Sequence, residues 1–347
     1  MTAVHHNGPV TAVERQGIDE DDVALIDALH VNPRASFEQL GATLHLSAVT
    51  VGRRWRRLTR DGAAWISSAP GPSMPLAGAV VDVTCAPGRV TEVARALAEN
   101  PRVASVHLTS GTWDLFALVV AQDIANMSAL LVDDLAPAPG VHATRARPIM
   151  ELFSGAHWRL GAIGPSAAHE LSAGHPEHHG RQTAREPDAF DKAIYQALQV
   201  DGRMSLRHLA KRLGRSEPAV KRRLDHLTRS GTLTFRTDFV RFAGGWHLYV
   251  ALSLRVPDEL LYETGRDIAR WPETRVCAAV AGAANLFVTA QLHDLRALEP
   301  LLRRIRATGP GIDIDDRQIV LRSIKSWGRL LAPDGRAIDV VPVNPWA

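Results

Sequence analysis

An internal repeat determines the organisation of this chain. Residues 19–62 align with residues 188–231 without a gap, at a separation of 169 positions. About two fifths of the 44 aligned positions are identical, whereas about three identities are expected from ordinary amino-acid composition. The period exceeds the roughly 20–50 residues of solenoid repeats. The sequence therefore predicts a duplicated domain within one chain of 347 residues.

Each copy of the repeat is predicted to form three helices. Ser36 and Ser205 are suitable N-caps for a second helix, and Ser47 and Ser216 for a third. The third helix is rich in arginine in both copies. Two helices joined by a short turn, the second of them basic, form the helix-turn-helix pattern.

The segment after each helix-turn-helix shows the same order of predicted elements in both copies. In the first copy, strands are predicted over 76–86, 103–109 and 114–121 and near 141–149. One helix, over roughly 88–99, follows the first strand, and another, over roughly 123–135, follows the third. The second copy repeats this order from "GWHLYVALSLRV" to "DIDDRQIVLRSI". The order βαββαβ is that of the ferredoxin-like split unit.

The predicted fold class is therefore α+β, with two winged-type helix-turn-helix domains and two ferredoxin-like βαββαβ domains in tandem. The predicted boundaries are 18–68 and 187–240 for the helix-turn-helix domains, and 75–160 and 245–332 for the βαββαβ domains. Residues 161–186, rich in Gly, Ala, His and Pro, are predicted to be a flexible linker. Its histidines, His175, His178 and His179, are better explained as unstructured polar sequence than as a metal site, so no metal or cofactor is expected.

Bulk composition limits the class of protein without naming a function. The formal charge is only +3 although the pI is about 9.1, so the clustering of basic residues is more informative than their number. No apolar run reaches the roughly 18–20 residues that span a bilayer, and the N-terminus lacks the pattern of a secretory signal. Cys85 and Cys277 are far apart, which favours a reducing cytoplasm over a disulfide framework.

The third helix of each copy is the candidate DNA-binding element. Val51, Trp55 and Leu58 form an apolar stripe at i, i+4 and i+7, so Trp55 is expected in the core and the arginines on the opposite face. The alternative for such a charge run is a solvated face, but its repetition after a tight turn favours DNA. The residues predicted to contact double-stranded DNA are Ser47, Thr50, Arg53, Arg54, Arg57 and Arg60 in the first copy and Ser216, Lys221, Arg222, Arg223 and Arg229 in the second.

This arrangement resembles the Lrp/AsnC (leucine-responsive, feast/famine) family of transcription regulators. The resemblance is carried by "NPRASFEQLGATLHLSAVTVGRRWRRLTRDG", by "DGRMSLRHLAKRLGRSEPAVKRRLDHLTRSG" and by "HLTSGTWDLFALV". It implies a sequence-specific DNA-binding regulator that responds to an amino acid or a related small molecule. The tandem arrangement is similar to double-length relatives of the single-copy family members.

The resemblance also implies an effector site at a glycine turn of the βαββαβ domain. Gly111, Trp113 and Asp114 form this turn in the first copy, and Gly282 and Asn285 occupy the same place in the second. A carboxylate at Asp114 can receive the ammonium of an amino acid, with backbone N–H groups near Gly111 receiving its carboxylate. The alternative is a turn residue that caps its own backbone. Because Asn285 carries no charge, effector binding is expected mainly in the first copy.

Two other functions are compatible with the sequence. Certain haem-pathway decarboxylases resemble the same family and also occur as fused copies, but His107 stands alone on its strand without a neighbouring Tyr or Arg. A small-molecule-binding protein without a DNA function is the other alternative. The expectation is a regulator rather than an enzyme, located in the cytoplasm, without membrane contact, and forming a homo-oligomer, dimeric or higher.

Overall fold

The computed structural model describes residues 17–155, 158–172 and 185–347. The expectations for the N-terminus and for His175, His178 and His179 lie outside these ranges. The elements of the first copy are α1 (Glu20–Val31), α2 (Phe37–Leu44), α3 (Ala48–Arg60), β1 (Ala64–Pro70), β2 (Ala77–Cys85), α4 (Val90–Glu99), β3 (Val103–Thr109), β4 (Leu115–Ala121), α5 (Ile124–Ala129) and β5 (Val141–Ser154), followed by α6 (Pro165–Ser172). The elements of the second copy are α7 (Ala189–Val200), α8 (Leu206–Leu213), α9 (Glu217–Arg229), β6 (Leu233–Phe239), β7 (Leu248–Arg255), α10 (Leu261–Ala269), β8 (Thr274–Val280), β9 (Leu286–Leu292), α11 (Leu298–Arg306), β10 (Asp313–Ser326), β11 (Arg329–Leu331) and β12 (Ala337–Val340).

Side-chain caps set the starts of the first helices. The Asp19 carboxylate accepts a hydrogen bond from the backbone N–H of Asp22 at 2.8 Å, and the Ser36 hydroxyl accepts one from Gln39 at 3.2 Å. In both cases the third helical residue reaches back to the cap, which completes a capping box. These contacts satisfy N–H groups that would have no partner in the first turn of a helix.

The two helix-turn-helix units are joined by a shared two-stranded ribbon. β1 and β6 pair antiparallel, from Ala64 opposite Phe239 to Pro70 opposite Leu233. The strand that gives each unit its winged character therefore pairs with its counterpart in the other copy. Both strands are almost fully buried, so the ribbon is part of the core between the two units.

A reciprocal pair of arginines holds the two units together at the turn between their first and second helices. Arg34 donates to the carbonyl oxygens of Gly202 and Met204 in the second copy. Arg203, which corresponds to Arg34 in the repeat, donates at 2.7 Å to the carbonyl oxygen of Pro33 in the first copy. Equivalent arginines of the two copies thus make equivalent contacts in opposite directions, as expected at a pseudo-twofold axis.

The eight long strands of the two βαββαβ units form one closed sheet. The order is β3-β4-β2-β5 in the first copy and β8-β9-β7-β10 in the second. β5 pairs with β2 along its first part and with β8 along its last part, while β10 pairs with β7 and then with β3. Each copy therefore closes the open edge of the other, and β11 and β12 continue the sheet beyond β10.

Strand alternation separates an outer face from an inner face in this sheet. On β2, Val81 and Val83 pack under the helices of the first copy, whereas Val80 points to the interior. The inner cluster joins residues of both copies, including Phe116 and Phe287, whose ring centroids lie 5.5 Å apart. Period-two alternation in the sequence is the cause of this division.

The segment between the copies differs from the flexible linker that composition predicts. Within its described part, residues 165–172 form α6, which buries Ala168 and Leu171 against the first helix-turn-helix unit. The buried carboxylate of Asp27 accepts backbone N–H groups of Leu160 and Ala162, both at 2.8 Å. Composition misses this because the stabilising carboxylate lies more than a hundred residues earlier. No helix in the described ranges is long and apolar enough to cross a membrane.

Candidate nucleic-acid interface and effector site

The N-terminal half of α3 presents small polar side chains to solvent. The exposed Ser47 is the N-cap, and its hydroxyl accepts the N–H of Thr50 at 3.1 Å and hydrogen bonds with the Thr50 hydroxyl at 2.9 Å. Arg53 is exposed one turn later. Val49, near the N-terminus of α3, is 77% exposed. The apolar stripe packs inward as predicted, and Trp55 is confirmed as a core residue.

Two of the residues predicted to contact DNA, Arg54 and Arg57, form ion pairs with the start of α1. The Arg54 guanidinium lies 2.8 Å from a carboxylate oxygen of Asp19 and 3.0 Å from one of Asp22. Arg57 pairs with the other oxygen of Asp22, which is fully buried. Two arginines therefore neutralise a buried carboxylate and hold α3 against α1. Arg60, which pairs with Asp61 at 3.0 Å, remains exposed at the end of the helix.

The same division recurs in α9. Arg223 pairs with Asp188 at 2.7 Å and with Asp191 at 2.5 Å, as Arg54 does with the corresponding carboxylates of the first copy. Arg222 is exposed, like Arg53 in the first copy. Lys221 is also exposed, where the first copy has a glycine. Each third helix therefore has three exposed lysine or arginine side chains, but Arg56 of α3 and Lys221 of α9 have no basic counterpart in the other copy.

The N-terminus of α9 differs from that of α3 in its capping. Ser216 occupies the N-cap position without a side-chain capping bond, and Pro218 lies in the first turn. Lys221 forms an i,i+4 ion pair with Asp225 at 2.8 Å, and Arg229 donates to the Asp225 carbonyl oxygen at 3.0 Å. Surface pairs of this type are weak enough to exchange for a phosphate partner.

One basic surface was missed by reasoning on the third helices alone. In α8, the side chains of Arg207, Lys211 and Arg212 are all exposed. The corresponding helix of the first copy, α2, has no basic residue and carries Glu38. The signal was present in "LRHLAKRL", because the first helix of a helix-turn-helix commonly crosses the DNA backbone.

The predicted effector residues lie at two matching turns of the closed sheet. The Asp114 carboxylate accepts the backbone N–H of Cys85 at 2.7 Å, and the Asn285 side chain accepts that of Val256 at 2.9 Å. Gly111 has a φ of 104°, a left-handed value that favours glycine. Asp114 and Asn285 thus tie the end of a neighbouring strand to the turn in both copies.

Other predicted members of this turn have separate surroundings. The Trp113 ring lies 4.9 Å from the guanidinium carbon of Arg145. Gly282 has a φ of 141° and is exposed. Arg145 in turn contacts the buried Asp82 at 3.0 Å. Burial raises the pKa of the Asp82 carboxyl, although Arg147 and Arg145 act in the opposite direction.

His107 is not isolated, contrary to the expectation from its own strand. The ring of Tyr249, from the second copy, lies 5.3 Å away at a near-perpendicular angle, and the Ser323 hydroxyl is 2.8 Å from Nδ1. Burial lowers the pKa of His107 to about 3, with Arg241 acting in the same direction. The missing neighbours come from β7 and β10 of the other copy, which local sequence cannot reveal. The imidazole is buried and neutral at physiological pH.

Known proteins match this chain over both kinds of domain. The AsnC-type helix-turn-helix domain matches residues 18–59 and 188–228, and the Lrp/AsnC ligand binding domain matches residues 78–155. A helix-turn-helix-type transcriptional regulator of Pyrococcus abyssi is 30% identical over 142 residues, which cover 41% of this chain and 89% of that protein. One from Mycobacterium tuberculosis is 30% identical over 146 residues, which cover 40% of this chain and 93% of the relative.

A solved structure shares the architecture over almost the whole chain. The siroheme decarboxylase NirDL superposes with a TM-score of 0.57 at 16% identity, covering 89% of this chain and 93% of that one. At this identity the likeness concerns the fold alone. The two matches to the helix-turn-helix model, the match to the ligand binding domain and the coverage of about nine tenths of each relative agree with one another: the chain belongs to the Lrp/AsnC family of transcription regulators, in a tandem-duplicated form.

Proposed function

We propose that this DNA-binding regulator acts as a one-chain equivalent of a dimer that reads an asymmetric operator. The observation that carries the proposal is the fixed pairing of two unlike helix-turn-helix units through β1–β6 and the reciprocal Arg34 and Arg203 contacts. A dimeric reader needs two recognition helices spaced to match half-sites about one helical turn of DNA apart. Here both helices belong to one chain, so each has been able to diverge.

The exposed side chains support separate roles within each recognition helix, with some residues contacting bases and others contacting phosphates. In the first copy, Ser47, Thr50 and Arg53 are proposed to reach base edges, where arginine can bind guanine with two donors. In the second copy, the proposed counterparts are Lys221 and Arg222, beside Ser216. Arg60 and Arg229 are proposed to bind phosphate, which positions the helix without specifying sequence. The ion pairs of Arg54, Arg57 and Arg223 support an indirect role, in which they orient the recognition helix.

Val49 is a further candidate for base recognition. It is 77% exposed near the N-terminus of α3, and an apolar side chain there can contact the methyl group of thymine. The second copy has Pro218 at this position. This difference supports unequal half-sites.

We further infer that the protein regulates rather than catalyses, works in the cytoplasm where its DNA lies, and forms a homo-oligomer. A burial of 98% and a pKa of about 3 argue against His107 as a proton carrier at neutral pH. An amino-acid effector at the Asp114 turn remains a prediction. The edges of β3, β5, β8 and β10 are already paired within one chain, so further copies would associate through other surfaces. Gel filtration with light scattering measures the number of chains in the oligomer.

The decisive experiment selects binding sites from a random duplex library and titrates salt. The expected sites lack a perfect palindrome, and Arg53→Ala and Arg222→Ala relax preference in different half-sites. If about six phosphates are neutralised, the slope of log K against log salt is near −5. Arg303→Ala, an exposed cation on α11, is the matched control. A palindromic consensus with equal half-sites, or binding indifferent to salt, contradicts the proposal.

A further inference from the structure

A cavity of about 400 Å³ lies between the helix-turn-helix ribbon and the closed sheet. Its walls include Trp65 of β1, Arg241 and Trp246 of the β6–β7 connection, Tyr249 of β7, Gln291 of β9 and Arg322 of β10. The volume falls within the range of about 300–1,000 Å³ that is usual for small-molecule sites. The cavity therefore lies where the helix-turn-helix units meet the closed sheet.

Three side chains of the wall have buried donors without a hydrogen-bond partner in the described part of the chain. They are the indole N–H of Trp65, the amide nitrogen of Gln291 and the Nε of Arg241. Gln291 is only 2% exposed and Trp65 only 5%. All three groups are donors, so the complementary ligand atom is an acceptor.

The charges behind this wall are also unbalanced. The buried carboxylate of Asp238 faces three guanidinium groups, with contacts of 2.5 Å to Arg236, 3.2 Å to Arg241 and 2.8 Å to Arg275. Arg275 is fully buried, and its Nε and Nη1 atoms also lack partners within the described ranges. One carboxylate among three cations leaves a net charge of about +2. Burying this charge is costly unless an anion neutralises it.

The rim adds a cation but no free carboxylate among the described residues. Arg322 is exposed and lines the cavity. The rim carboxylate of Asp334 is directed to Arg336 at 3.5 Å. Between these polar groups the wall is aromatic, since Trp65, Trp246 and Tyr249 all contribute to it. The ligand chemistry that fits is an anionic head with a flat apolar body.

The site is confined to one side of the pseudo-twofold axis. At the 169-residue offset, the positions of Asp238 and Arg241 are occupied in the first copy by Ala69 and Pro72. The cluster is therefore not a by-product of the duplicated fold. It is a property of the second copy.

We propose that this cavity binds a small aromatic carboxylate, held by Arg241, Arg322, Gln291 and Trp65. The cavity takes part of its wall from β1 and the end of β6, and these strands follow α3 and α9 directly. Occupancy therefore biases the two recognition helices, an effect that rests on the proposed function. This site is distinct from the Asp114 turn.

The binding test is calorimetric titration of the full chain, without DNA, by phenylacetate, phenylacetamide and inorganic phosphate. We expect phenylacetate to bind in the millimolar range or tighter, at least tenfold more tightly than the neutral amide or phosphate. Arg322→Ala, which changes an exposed side chain, and Gln291→Leu each weaken binding at least fivefold, while Arg303→Ala leaves it unchanged. Equal binding of acid and amide, tighter binding of phosphate, or wild-type affinity in Arg322→Ala and Gln291→Leu overturns the site.

The coupling test measures DNA affinity with and without saturating phenylacetate. We expect the Kd for a selected operator to change at least threefold in the wild type and not at all in Arg322→Ala, since coupling is reciprocal between two sites. If phenylacetate binds and the Kd stays constant, the coupling is overturned. If DNA does not bind at all while phenylacetate does, the carboxylate site stands and the proposed function fails.

Discussion

Lys325 is a buried cation whose only hydrogen bond in the described structure is to a backbone carbonyl. It lies on β10, has no exposed surface, and donates to the Asn100 carbonyl oxygen at 3.0 Å. Burial lowers the pKa of Lys325 to about 7. A charged group in this position stabilises the fold poorly, because its lost hydration is not replaced by a counter-ion.

We expect Lys325→Met to stabilise the protein at pH 7 by about 1–3 kcal/mol. Because the folded-state pKa of Lys325 is depressed, the unfolded chain binds the extra proton between about pH 7 and pH 10.5. The advantage of the Met variant is therefore fully present below pH 7 and shrinks as the pH rises towards 10.5. Urea unfolding at pH 7 and pH 9.5 measures it, and an equal difference at both values contradicts the assignment.

Asp114 and Asn285 let structural capping be separated from effector binding. Both accept a backbone N–H of the neighbouring strand, so an amide is an adequate cap. Asp114→Asn should keep the stability of the wild type, whereas Asp114→Ala should lose about 1 kcal/mol. If the turn binds an amino acid, titration calorimetry should detect weaker binding in Asp114→Asn. Unchanged binding in this variant removes Asp114 from the effector site.

The arginines of α3 show which properties of a single residue the sequence predicts and which it does not. The apolar stripe and the exposure of Arg53 follow from helical periodicity. The ion pairs of Arg54 with Asp19 and Asp22 do not, since they depend on how α1 crosses α3. A single sequence shows that a side chain is charged, but it does not show which oppositely charged side chains lie next to it in the fold.

At the level of elements, α8 and α2 are the same helix with opposite charge. The exposed Lys211 and Arg212 of α8 correspond to Ala42 and Thr43 of α2. If each lysine or arginine releases one counter-ion, the second copy contributes more to the salt dependence than the first.

We therefore expect Lys211→Gln with Arg212→Gln to make the slope of log K against log salt less negative by about 2. The matched control places glutamine at Ala42 and Thr43 and should leave the slope unchanged. Fluorescence anisotropy with one operator duplex at several salt concentrations is sufficient. The same slope in both double variants would show that α8 does not contact phosphate.

The strands of the first βαββαβ unit were largely predictable, and β5 shows why the length of a strand was not. β3 occupies the predicted residues 103–109, and β2 and β4 differ from prediction by one residue at their ends. β5 continues to Ser154, beyond the predicted end near 149, because its last part pairs with β8 of the other copy. Alternation predicts a strand, whereas its length depends on a partner that only the tertiary fold supplies.

On the scale of the whole molecule, many polar contacts cross the pseudo-twofold axis, including those of Ser68 with Gln199 and of Thr237 with Leu29. Arg34 and Arg203 each donate to carbonyl oxygens across it. Hydrogen bonds from charged groups contribute about 1.5–3 kcal/mol each. The relative position of α3 and α9 thus depends on these two side chains together with the β1–β6 ribbon.

The double variant Arg34→Met with Arg203→Met should bind a complete operator at least tenfold more weakly than the wild type. An isolated half-site should be bound equally well, because each helix-turn-helix keeps its own core. Competition assays with the two duplexes measure the difference, and Arg303→Met controls for the loss of a cation. Equal losses on both duplexes would instead indicate damage within each unit.

The closed sheet also determines how the protein responds to its own abundance. A regulator built from two separate chains falls apart on dilution, so its active fraction depends on concentration. In this chain the two halves are covalently linked and each completes the sheet of the other. A unit with both recognition helices therefore exists at any expression level, and the pairing of these two helices needs no assembly of separate chains.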